Sequence, residues 1–249
     1  MFSLADVQDS QIERTWESAS AQVATAKTLE KAAGAFIGSI YEEFEVSLAL
    51  ARFFLTIPFR DLPERNRIWV EILADDNGVS GDLHGETPVL SLVASRGTKT
   101  AWNDIRSSRG HVGIPLVSPV FISEMPMMAK MLQELGVVEN LVGDARSPTD
   151  VEASPFSIRT FHVPDAAESV DSQGRKIIPA QDFVSENAIR TVFGLGRPYT
   201  NEVRNVAIAI FFAKEQLAHE IVRKFEPVMD GFQNETVGLV ENNAFFNES

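Results

Sequence analysis

The sequence contains no cysteine, which excludes disulfides, thiolate nucleophiles, cysteine-ligated zinc or iron–sulfur centres and any cofactor attached through a thioether. It is also short of positive charge: 22 Lys and Arg stand against 35 Asp and Glu, a formal net charge of −13. A field of that sign repels phosphate backbones and anionic headgroups, so neither nucleic acid nor a membrane surface is an expected partner. Histidine is scarce, and the four present, His84, His111, His162 and His219, have no second histidine at a metal-ligand spacing. Long apolar runs are missing too. The longest, Val206 to Ala213, falls well short of the roughly 20 residues a membrane helix needs. The start, MFSLADVQDSQIER, has neither a basic flank nor an apolar stretch of signal-peptide length. The expectation is a cytoplasmic protein without a cofactor. What the chain does have is apolar mass: 44% hydrophobic and 23% charged residues suffice to bury a core and exclude disorder.

Apolar and small residues at Ile12, Trp16, Ala19, Val23, Ala26, Ala33, Ile37 and Ile40 predict one long amphipathic helix over 12–40. Ile12, Ala19, Ala26, Ala33 and Ile40 form a seam of seven-residue period, which serves equally as packing within the domain or as a subunit interface. The run Phe44 to Phe59 is too apolar to be exposed, though helix and strand are hard to separate there. Pro88–Ser95 reads as a buried strand, Ile122–Leu135 as a helix stopped by Gly136, and Phe156–Val163 as a half-buried strand after a loop over Gly143–Pro155. Arg190–Leu195 and Asn205–Phe212 read as a hairpin. A second amphipathic helix, kinked or broken near Pro227, follows from Ala213, and the tail after Val240 is expected to fray. No linker divides the chain, so 1–249 is expected to be one domain: an N-terminal helix (12–40), a core (44–214) and a C-terminal helical segment (213–240). Hairpin neighbours with helices at both ends favour α+β architecture around an antiparallel sheet.

The densest polar constellation is the run SRGTKTAWNDIRSSRGHVGIPL, which holds Arg96, Trp102, Asn103, Arg106, Arg109 and His111. Guanidinium groups fit carboxylates or phosphates, and an indole face stacks on planar or cationic groups. These six are the candidate ligand-binding residues. The alternative is an ordered loop, with Asp104 and Asn103 capping a turn and the arginines paired to surface carboxylates. Elsewhere the signals are weak. His219-Glu220 lacks the second histidine of a zincin motif, and His162 with Asp165 and Glu168 is either a weak metal site or a solvated loop. Gly194-Leu195-Gly196 is better explained by a tight strand turn than by a phosphate loop. Met125, Met127, Met128 and Met131 serve either as helix core or as the wall of a deformable pocket.

The segments FEVSLALARFFLTIPFRDLP, LVASRGTKTAWNDIRSSRGHVGIPL, MPMMAKMLQELGV, FHVPDA, IPAQDFVSENAIRTVFGLGRPY and VAIAIFFAK resemble a GAF-like sensory segment found in bacteria upstream of PAS domains and histidine kinases. The resemblance spans roughly residues 44 to 214. Its most specific pieces are WND…SRGH…IPL and the FGLG strand with the apolar strand that follows. It implies an antiparallel sheet flanked by helices, and small-ligand sensing or dimer-mediated signalling as the activity. The sequence ends at Ser249 without an output domain, so output is expected to pass to a signalling partner. Lack of cysteine excludes the covalent bilin attachment and thiol-dependent sulfoxide reduction known among such proteins. The expected function is a noncatalytic module binding a small, anionic ligand noncovalently and signalling as a helix-mediated homodimer. The competing readings are an adaptor without ligand and an enzyme using His111 or His162 as general base.

Overall fold

The apolar run after Phe44 forms a strand, β1 (Leu48–Pro58), because its aromatic and β-branched residues suit a pleated surface and Pro58 forbids a helical continuation. Almost every side chain along it is buried; a strand covered on both faces has no polar alternation, which is why its sequence is ambiguous. In the computed structural model of the chain, which describes residues 2–108, 111–137, 158–199 and 205–247, β1 lies in the middle of a six-stranded antiparallel sheet. The other strands are β2 (Pro88–Gly97), β3 (Gly113–Pro115), β4 (Arg159–Val163), β5 (Thr191–Pro198) and β6 (Val206–Ala213), in the order β3-β2-β1-β6-β5-β4. The α+β fold with helices flanking an antiparallel sheet is therefore as expected, as is the β5–β6 hairpin. The Gly194-Leu195-Gly196 segment lies within β5, not in a turn. A Cβ on either glycine would stand 2.7 Å from a carbonyl oxygen of β6, so the glycines permit close strand contact. The loop expected at 143–155 lies outside the described residues.

The long N-terminal helix is in fact two, α1 (Asp9–Thr25) and α2 (Leu29–Glu43). Ala26 is extended (φ −63°, ψ 143°), and the Thr28 hydroxyl accepts from the Lys31 amide at 3.3 Å, an N-cap that restarts the helix. The seven-residue seam survives the break and is used within the chain: Ile12, Ala19, Ala33 and Ile40 are buried in the core that α1 and α2 share with the C-terminal helix Glu226–Glu241. Phe36 is central to that core, stacked on Phe232 at 4.6 Å and edge-on to Trp16 and Phe53.

The C-terminal segment is broken near Pro227 as expected, into His219–Arg223 and Glu226–Glu241, and Pro227 occupies the first turn of the second helix, where a missing amide donor is harmless. Two further boundaries differ from expectation. The tail does not fray at Val240: the Leu29 and Glu30 amides donate to Ala244 and Phe245 carbonyls at 2.8 and 2.9 Å, and Phe245 is buried. After α3 (Glu64–Asp76), the helix expected over 122–135 is divided into α4 (Pro119–Ser123) and α5 (Pro126–Glu134). Gly136 closes α5 as expected, at φ +67°, with the Val137 amide donating to Leu132 and the Gly136 amide to Gln133, the paired bonds of a Schellman turn. The sheet thus separates two apolar layers. One is shared with α1, α2 and the C-terminal helix; the other lies under α4, α5, the short helix Gln181–Glu186 and the loop that follows β2.

Candidate functional site

The second layer is not filled. Between it and the sheet lies a cavity of about 580 Å³. Strand alternation supplies its floor: Leu50, Arg52 and Phe54 of β1 point the same way, beside Leu90, Ile114, Ile210 and Phe212 of neighbouring strands. Met125, Met127, Met128 and Met131 line it from the α4–α5 side, and Met128 and Met131 are also buried core residues. Trp102 and Phe183 close another side, edge-on to one another at 5.6 Å, with Phe183 edge-on to Phe212 at 5.5 Å.

The exception on this apolar floor is Arg52. Its register partners are Ser95 on β2 and Ile210 on β6, neither of them anionic. Its Nε has no hydrogen-bond partner, and neither has the buried Ser95 hydroxyl opposite. Burial alone holds the guanidinium down to about 10. His111 also lines the cavity, in the left-handed backbone region at φ 58°. Burial, and then the positive charge of Arg52, push its imidazole below its ordinary value, so it is neutral at pH 7 and able to donate or accept a hydrogen bond.

Of the six residues expected to bind a ligand, the structure brings Trp102 and His111 to the cavity. Asn103 acts on the loop itself: its side-chain oxygen accepts from the Gly97 amide at 2.7 Å and holds the turn against the end of β2. Arg96 and Arg106 turn away, to Glu42 and Glu30 of α2, each at 3.0 Å. For these two the ordered-loop alternative is the one observed, and Asp104 caps the turn by accepting from the Arg106 amide at 2.9 Å. Arg109 lies outside the described residues. Arg52 was overlooked, although a lone charge inside the stretch LALARFFLTIP is a signal: a strand buried on both faces must give a charge a partner or a ligand.

Gly97 lets the loop approach. A Cβ there would lie 2.7 Å from the Trp102 ring and 2.9 Å from the Ala49 carbonyl. Gly97→Ala is accordingly expected to cost about 1–3 kcal/mol by pushing the indole off the cavity wall, measured as a lower denaturant midpoint and altered tryptophan emission.

Among the described residues no group of His, Asp or Glu could hold a metal ion. The Asp165 carboxylate accepts from the amides of Ala167 and Glu168, an Asx turn. His162 and His219 stack at 5.6 Å, with a ring nitrogen of His162 bonded to the Leu217 carbonyl at 3.0 Å and one of His219 to the Thr160 hydroxyl at 2.8 Å. Burial is the main cause that holds His162 below its ordinary value. Both lowered histidines, 111 and 162, bind protons less readily folded than unfolded. Their contribution to stability is complete above about pH 6.5 and is lost as pH falls below it. The free energy of unfolding is expected to fall between pH 7 and 5, and His111→Gln and His162→Gln should each flatten that slope in denaturant titrations.

No protein-family model matches the sequence, and no curated protein does. Among solved structures the chain aligns with the chromophore-binding domain of an unusual bacteriophytochrome, RpBphP3 from R. palustris, at 7% identity and a TM-score of 0.46, over 94% of this chain and 63% of that one. It also aligns with bacteriophytochrome RpBphP3 from the photosynthetic bacterium R. palustris at 8% identity and a TM-score of 0.47, over 95% of this chain and 39% of that one. The chain thus spans less than two thirds of either structure, and likenesses of this degree carry no inference about function. No helix among the described residues is long and apolar enough to cross a membrane.

Proposed function

We propose that the chain is a noncatalytic, GAF-like sensory module that takes a small ligand noncovalently into the cavity between the sheet and the layer of α4 and α5. The observation that carries this reading is the cavity itself. At about 580 Å³ it falls within the roughly 300–1,000 Å³ of small-molecule sites, and it is bounded by side chains from four strands in a layer otherwise packed.

Occupancy has a physical route outward. The loop after β2 presents Trp102, Ser107, Ser108 and His111 to the cavity, while Arg106 on the same loop pairs with Glu30 at the start of α2. The other Glu30 oxygen accepts from the Asn247 amide at 2.9 Å, tying in the C-terminal tail. A ligand that prefers one loop position therefore biases α2 and the tail together, by its difference in affinity for the two arrangements. The helical seam offers no surface for a homodimer, since it is buried within the chain; an output partner would meet α2 or the tail. Thermal unfolding of the purified chain against small apolar acids, alcohols and amines tests the reading. At about 100 times Kd a ligand should add about 2.7 kcal/mol and raise the midpoint. No shift with any compound, together with no co-purifying mass in native mass spectrometry, would refute it.

A further inference from the structure

Building on the cavity reading above, we infer that the ligand is an organic acid with one anionic group and an apolar body, and that Arg52 receives the acid group. Arg52 lies in the middle of the strand at the sheet's centre, and alternation directs it into the cavity among Leu50, Phe54, Ile210 and Phe212. Among the described residues its guanidinium makes no ion pair, and its Nε has no acceptor. Arg96 at the end of β2 and Arg106 of the loop that follows each have a carboxylate partner on α2. A desolvated cation left without a partner beside open space is the complement of an anion that fills that space.

The rest of the wall decides what kind of anion. Arg52 is the single Arg or Lys lining the cavity among the described residues, so a phosphate-rich or dianionic ligand would leave charge uncompensated. The one carboxylate lining the cavity among the described residues, Glu124, is exposed, with Arg175 3.9 Å away. His111 lines the cavity and supplies a hydrogen-bonding group beside Arg52. Apart from Ser107 and Ser108 of the loop, the remaining lining side chains among the described residues are aliphatic, aromatic or thioether, and they fit an apolar body. A chain of net charge −13 repels anions at long range, so burial of that body must supply part of the affinity.

Two fluorescent probes that differ only in the acid group separate the components: 8-anilinonaphthalene-1-sulfonate and N-phenyl-1-naphthylamine, titrated into the full chain and into Arg52→Met and Arg52→Lys. The sulfonate is expected to bind about 10- to 100-fold more tightly than the neutral amine and to be displaced by dodecanoate in preference to dodecanol. Arg52→Met should abolish the difference between the probes while keeping affinity for the amine, and Arg52→Lys, with a single-point donor, should retain part of it. Equal binding of the two probes by the parent chain would overturn the acid assignment and leave the cavity reading intact. A preference that persists in Arg52→Met, or is unchanged in Arg52→Lys should the Met variant not fold, would overturn the role of Arg52. Binding of neither probe would overturn the cavity reading itself.

Discussion

Arg52→Met is expected to stabilise the free protein, an unusual result for the loss of a charge from the central strand. The guanidinium is only partly accessible, and burial alone has lowered it to about 10. A displacement of that size corresponds to about 3 kcal/mol; allowing for the accessible part, the net gain is about 2 kcal/mol, and for a domain of this size a midpoint rise of roughly 4–8 °C. Methionine fills a similar volume and suits a wall already lined by Met125, Met127, Met128 and Met131. The sign of the pH dependence is distinctive. A base held below its unfolded value is protonated in both states until about pH 10, so the gain should be constant from pH 6 to 8. A structural arginine with a partner behaves oppositely, its removal costing stability. Denaturant unfolding of both chains decides between the two, and a loss of stability in the variant would mean that Arg52 has a partner within the fold.

Phe36→Ala is expected to have the largest destabilising effect, about 3–5 kcal/mol. Its ring is fully buried and joins four elements: α1 through Trp16 at 6.2 Å, β1 through Phe53 at 6.4 Å, and the C-terminal helix through Phe232 at 4.6 Å, all from α2. Aromatic pairs of this kind add to the area they bury, and the hole left between three helices and a sheet cannot easily collapse. Against a typical total of about 5–15 kcal/mol the loss is severe. A cost below about 1 kcal/mol in denaturant titrations would show that this layer is not packed as described.

Elements marked by punctuation were legible in sequence. β2 and the β5–β6 pair are apolar runs between turn residues, and α5 ends where glycine permits a left-handed turn. The division between α1 and α2 was hidden because the seven-residue seam runs on through Ala26 while Thr28, a threonine among many polar residues, makes the cap. The candidate site was half legible, and the reason is a bulge. Leu90 and Leu92 face the cavity layer, and counting by twos along β2 would send Arg96 there as well. Opposite Phe53 and Phe54, however, β2 carries the extra residue Val93, which reverses the parity: Ser95 comes to lie across from Arg52, and Arg96 turns to Glu42 on α2. Residue types in the loop pointed to anion chemistry, but only the register tells which arginine faces the cavity.

The central claim is an unoccupied cation at the floor of a ligand cavity, and the Arg52 side-chain Nε–H resonance reports on it directly. In ¹⁵N spectra of the full chain, the cross-peak absent from Arg52→Met should mark an unbonded Nε–H in the free protein. It should then move downfield and exchange more slowly when the anilinonaphthalene sulfonate is added, and stay in place with the neutral amine. A peak that is already downfield and protected without ligand, or that ignores the sulfonate, would contradict the account.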